Sequence, residues 1–132
     1  MESWRKVFRE GFAPIMSDMA LSALQDALVR DDPALIQGAT SSPPPLNCVQ
    51  DWQCEAACLI GICGWKGEGL KTVGEVEDFF ARACYDMDQR LGEPAACRWL
   101  LNWYDDTPRP EMRRELLAEV ELTLSQRRKL SC

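Results

Sequence analysis

Apolar residues recur at helical spacing along most of this chain. They are densest over residues 94–106, PAACRWLLNWYDD. On a helix, Ala96, Trp99, Leu100, Leu101, Trp103 and Tyr104 cover most of the circumference, and Arg98, Asn102, Asp105 and Asp106 form a polar strip. A helix that is apolar nearly all round needs neighbours on several sides, so this one is expected at the centre of a bundle.

The remaining pattern predicts helices on either side of it. Trp4, Val7, Phe8 and Phe12 share one face of a short helix over 2–12, which Gly11 and Pro14 should break. Ser17 is placed to cap a second helix to about residue 30, with Ala20, Leu21, Leu24, Ala27 and Leu28 on its apolar face. Asp32-Pro33 restarts the chain for a single turn, stopped by Gly38. Asn47 and Gln50 fit a capping box for a third helix through residue 63, in which Trp52, Ala56, Leu59, Ile60 and Cys63 make a large-residue face. Thr72 and Glu75 make a second capping box, opening a helix over 73–91 that Gly92 ends. In that helix Val76, Phe79, Phe80, Ala83, Met87 and Leu91 line one arc. A last helix follows Pro108, with Met112, Leu116, Leu117, Val120 and Leu124 as its core-facing stripe. No stretch alternates with period two, so no strands are expected. The fold class is all-α, a compact bundle of about five or six helices.

The chain reads as one domain: N-terminal helices over 1–37, a proline-rich linker over 38–47, and the main helical body over 48–130. Thirty-seven residues can hardly bury a core alone, and PPP favours a stiff polyproline spacer over a domain boundary.

Composition narrows the function more than the pattern does. The sequence has 132 residues and a formal charge of −6. That balance argues against a grip on nucleic-acid phosphates, which needs clustered Lys and Arg. It suits a protein partner with a basic surface, and a homodimer is compatible with it. MESWRKVFREGF carries charges throughout and no apolar core, so no secretory leader is expected there. No apolar run approaches a membrane span. Seven cysteines without a secretory signal are expected as reduced cytoplasmic thiols.

The sequence contains no histidine. Ser-His and Cys-His nucleophile pairs, HExxH zinc sites and Glu-x-x-His di-iron ligands are therefore excluded. Cys48, Cys54, Cys58 and Cys63 could in principle hold zinc or an iron–sulfur cluster, or sense oxidation. C-x5-C-x3-C-x4-C lacks the C-x2-C knuckle, so the favoured reading is small apolar residues filling helix contacts, with no metal or cofactor. GWKGEGLKT has one residue too many for a phosphate loop, and a helix rather than a strand is expected before it. Gly64, Gly67 and Gly69 are expected to supply positive-φ turns there. The carboxylates are largely accounted for as caps and solvated faces.

Five tryptophans in a chain of this length are many, and Trp is enriched at interface hot spots. Trp4 and Phe8, on the N-terminal arm, and Trp65 and Lys66, at the glycine-rich loop, are the expected partner-binding residues. The functional expectation is a non-catalytic, acidic, helical protein–protein interaction module.

Overall fold

Ser17 and Thr72 open two of the long helices as their sequence context predicts. In the computed structural model, which describes residues 3–43 and 51–131, Ser17 Oγ accepts the Ala20 N–H at 3.0 Å. At Thr72 the capping box is complete: Thr72 Oγ1 accepts from Glu75 N, and the Glu75 carboxylate accepts from Thr72 N. These caps satisfy backbone donors that a helix leaves without partners.

The helices are α1 (Trp4–Val7), α2 (Ala13–Ile15), α3 (Asp18–Arg30), α4 (Leu59–Ile62), α5 (Val73–Leu91), α6 (Cys97–Asp106) and α7 (Arg109–Ser131). π-helical turns at Phe8–Phe12 and Cys63–Gly67 extend α1 and α4. The fold is all-α apart from one antiparallel pair, β1 (Ser41–Ser42) with β2 (Ala56–Ala57), in register Ser41–Ala57 and Ser42–Ala56. One apolar cluster takes in Trp4, Phe8, Leu21, Leu59, Met87, Leu100 and Leu124, so the N-terminal helices share the core of the rest.

Three expectations need correction. First, the N-terminal helix does not break at Gly11 and Pro14. The Phe8–Phe12 π turn carries the chain on, Ala13 N–H bonding Phe8 C=O, and Pro14 falls in the first turn of α2, where its missing N–H costs nothing. Gly11 is a packing position: a Cβ there would lie 3.0 Å from Leu91.

Second, residues 51–58 are not helical. Residues 54–58 run extended and spend their backbone groups on distant partners. Cys54 N–H bonds Lys71 C=O at 2.8 Å, Glu55 N–H bonds Ser42 C=O at 2.7 Å, and Cys58 N–H bonds Thr40 C=O at 3.0 Å. The helix therefore starts at Leu59, with Cys58 as N-cap. The expected capping box at Asn47 and Gln50, Cys48, and the last two linker prolines lie outside the described residues. The start of the linker, Ser41–Ser42, is a strand and not a free spacer.

Third, Gly64 and Gly67 do not supply positive-φ turns; of the three loop glycines only Gly69 does, at φ +83°. Gly64 and Gly67 instead permit close approach. A Cβ on Gly67 would sit 2.5 Å from Ala20 Cα, and one on Gly64 would sit 2.8 Å from the Phe79 ring.

Helix α6 keeps its expected polar strip, with Arg98, Asn102, Asp105 and Asp106 exposed and Leu100, Leu101 and Tyr104 buried. Its N-cap residue, Ala96, has no side chain to bond the first amides. Asp88 of α5 reaches over instead: its carboxylate accepts Ala95 N–H at 2.9 Å and Cys97 N–H at 2.8 Å. On α7, Glu119 is buried at 6% exposure. Its carboxylate takes a two-pronged pair from Arg9, at 2.7 and 2.8 Å, which fastens the N-terminal helices to α7.

Candidate functional site

Residues 51–55 and 64–72 form one lobe, built from backbone hydrogen bonds. Val73 N–H bonds Trp52 C=O at 2.9 Å, and Cys54 N–H bonds Lys71 C=O at 2.8 Å, so the two strands of chain lie side by side. Leu70 N–H returns to Gly64 C=O at 3.1 Å, and Glu68 N–H to Cys63 C=O at 2.9 Å. The close approach of Gly67 to Ala20 seats the lobe on α3. Ser17 Oγ, already the cap of α3, donates to the Glu68 carboxylate at 2.6 Å and adds a second tie.

Three side chains give the lobe its surface. Trp65 is half-buried and packs against both apolar clusters of the protein. Lys66 Nζ lies over its ring, 4.1 Å from the centroid, a cation–π contact that holds the ammonium in place. Trp52 stands out at 56% exposure. Asp51, Glu55 and Glu68 on the same segments, and Glu75 just after them, are exposed, as are the cations Lys66 and Lys71. The lobe thus carries one exposed indole, a second half-buried indole with an ammonium over its ring, and exposed carboxylates.

The expected partner-binding residues are thus divided. Trp65 and Lys66 fall together on the lobe. Trp4 and Phe8 do not face outward: Trp4 is 9% exposed and Phe8 is fully buried. The Trp4 ring lies on Trp103, and Phe8 packs near Phe12 at 5.1 Å. Both are core residues here, because the continuous α1–π turn–α2 segment turns its aromatic face inward. Trp52 was not legible as a surface residue, since a helix over 48–63 assigns it to a core face. The high tryptophan count was the one available signal.

The described cysteines of the 48–63 group are buried and separately engaged. Cys54 Sγ donates to Ala56 C=O at 3.3 Å and Cys63 Sγ to Leu59 C=O at 3.2 Å, while Cys58 Sγ accepts the Gly61 N–H at 3.5 Å. Burial pushes the Cys58 thiol up to about 12 and raises Cys54 and Cys63 as well, so all three are neutral thiols at pH 7. Among the described residues no three Cys, Asp or Glu side chains converge as a metal-binding group. No described helix is long and apolar enough to cross a membrane.

A second exposed apolar strip runs along the end of α7, where Leu122 and Leu130 lie beside Pro14. Its flanking cations are already engaged, Arg9 by Glu119 and Arg127 by Asp18 at 2.8 Å. No family model, curated protein or solved structure matches this chain.

Proposed function

We propose that this chain is a non-catalytic protein–protein interaction module, of adaptor, inhibitor or immunity type, and that the Trp52–Trp65–Lys66 lobe is its partner-binding surface. The observation that carries the reading is Trp52. An indole more than half exposed stands on a backbone hydrogen-bonded along residues 71–73. Aromatic anchors dominate binding energy when a partner desolvates them. The exposed carboxylates and the chain's charge of −6 favour a partner with a basic surface, through steering at long range and register at short range.

The test compares recovery of partners from an extract of the source cells on immobilised wild-type chain, Trp52→Ala and Lys66→Glu. The expected result is a partner held by the wild type and reduced about tenfold or more by each substitution, while the far-ultraviolet dichroism and thermal midpoint of both variants stay at the wild-type values. Equal recovery on folded variants would remove the lobe from the binding surface.

A further inference from the structure

Helix α6 carries its charges in the wrong order for its own dipole. Arg98 stands in its first turn, and Asp105 and Asp106 stand in its last. A helix gains from acids at its start and cations at its end. The other long helices follow that rule. Asp18 opens α3 and Arg30 ends it, Glu75 and Arg90 do the same in α5, and Glu111 with Arg128 and Lys129 in α7. A local preference broken in one element points to a use for the residues that break it.

Arg98 and Asp105 line one cavity of about 210 Å³, together with Leu101 of the same helix, Phe80 of α5 and the loop from Gly38 to Thr40. The two charges share a side of α6, about two turns and 10 Å apart along its axis. They do not pair with each other. Among the described residues the Arg98 guanidinium has no hydrogen-bond or ion-pair partner. Asp105 is held from one side, where its Oδ1 accepts Gly38 N–H at 2.9 Å. Leu101 lies between the two poles on the helix, and Phe80 adds a half-buried ring. The cavity therefore has a positive end, an apolar middle and a negative end.

We propose that this cavity binds a short zwitterionic peptide, two or three residues long with both termini free, its carboxylate at Arg98 and its ammonium at Asp105. The planar guanidinium suits a carboxylate. The ammonium takes the second oxygen of Asp105, which Gly38 already orients. The dipole of α6 opposes Arg98 and Asp105 themselves but favours both ligand charges: its positive end meets the carboxylate and its negative end the ammonium. An extended chain advances about 3.5 Å per residue. Two or three residues span the poles, whereas a single amino acid has both charges on one carbon and does not. The cavity shares no residue with the lobe, so this site and the partner surface are tested separately.

The experiment is calorimetric titration of the full chain with alanyl-leucyl-alanine. The expected result is one site with a Kd of about 0.1 mM. N-acetylation or C-amidation of the tripeptide should each weaken binding about tenfold, as loss of a charged hydrogen bond does. Asp105→Asn, which keeps an acceptor for Gly38, should weaken the free peptide and leave the acetylated one unchanged. Arg98→Gln should do the same for the free and amidated pair. The modified peptides read the wild-type chain, so the result does not depend on how the variants fold. Failure to bind at millimolar peptide would overturn the site. So would equal binding of the free, acetylated and amidated forms, equal binding of leucine alone, or binding that both variants leave intact.

Discussion

The indole rings of Trp4 and Trp103 lie face to face, their centroids 3.6 Å apart and their planes within 9°. One ring comes from the first turn of the protein and the other from α6, so this stack closes the N-terminal helix onto the rest of the core. Arg5 adds a guanidinium 4.7 Å from the Trp4 centroid. Trp4→Ala is expected to destabilise the protein by about 3 kcal/mol, the usual cost of truncating a large buried aromatic. Urea unfolding measures it. A loss within experimental error of zero would mean that the arm is undocked in solution and that Trp4 is free for a partner.

Asp88 predicts a smaller loss. Its carboxylate is the side-chain cap that Ala96 cannot provide, bonding two amides at the start of α6. Asp88→Ala should lower stability by about 1 kcal/mol, as loss of an N-cap does. Asp88→Asn, which keeps one of the two acceptor oxygens, should recover only part of it. Denaturant midpoints of the two variants decide between capping and a purely electrostatic role.

The glycines at the lobe separate packing from backbone conformation. Gly67→Ala drives a methyl group into the Ala20 backbone and should cost about 2 kcal/mol, in the range for overpacked sites. Gly69 has open space around it and a positive φ, so Gly69→Ala strains the turn without a clash. Gly69→Asn, which tolerates the left-handed region, should be milder than Gly69→Ala. No such rescue is expected at position 67.

Stability should fall at both ends of the pH scale, for different groups. The Cys58 thiol is pushed from 9.0 up to about 12 by burial. Between those values the unfolded chain gives up a proton that the native state retains, so stability is full below pH 9 and declines as pH rises. Cys58→Ser keeps an N-cap oxygen, removes this titration and should flatten the alkaline decline. On the acid side, the hydrogen bond from Arg109 holds Asp31 below its ordinary value of 3.8, and backbone N–H groups do the same for Glu75. Their contributions are present above pH 4 to 5 and vanish as pH falls through the lowered values. Asp31→Asn should flatten that limb. Thermal midpoints from pH 2 to 11 measure both.

Helices α3, α5 and α7 were legible because each repeats its apolar residues at helical spacing and carries its own start signal or charge gradient. Residues 54–58 were not. Cys54, Ala56, Ala57 and Cys58 are small and apolar on every face, so their order cannot separate a helix from a buried extended segment. What decides is the set of backbone partners at Ala34, Thr40, Ser42 and Lys71, which local pattern does not contain. The exposure of Trp52 follows from that decision and was hidden with it. The inward face of Trp4 depends on Trp103, far along the chain. Glu119 reads as one more solvated acid on a charged helix; Arg9 and Arg5, brought across by the N-terminal helices, make it an internal anchor. Trp65 and Lys66 were expected on a loop; they lie instead in the π-helical turn that extends α4, with Lys66 exposed and Trp65 half-buried against the core.

The central claim is that the Trp52–Trp65–Lys66 lobe meets a protein partner. The most direct measurement is photo-crosslinking in the source cells, with a diazirine amino acid at position 52 of the full chain and, as the control, at Asp86, which is exposed on α5. A covalent adduct to one protein at position 52, absent at 86 and lost when Lys66→Glu is added, is the predicted result. Adducts equally abundant at 52 and 86, or none at 52 while the same partner still co-purifies with the chain, would contradict it.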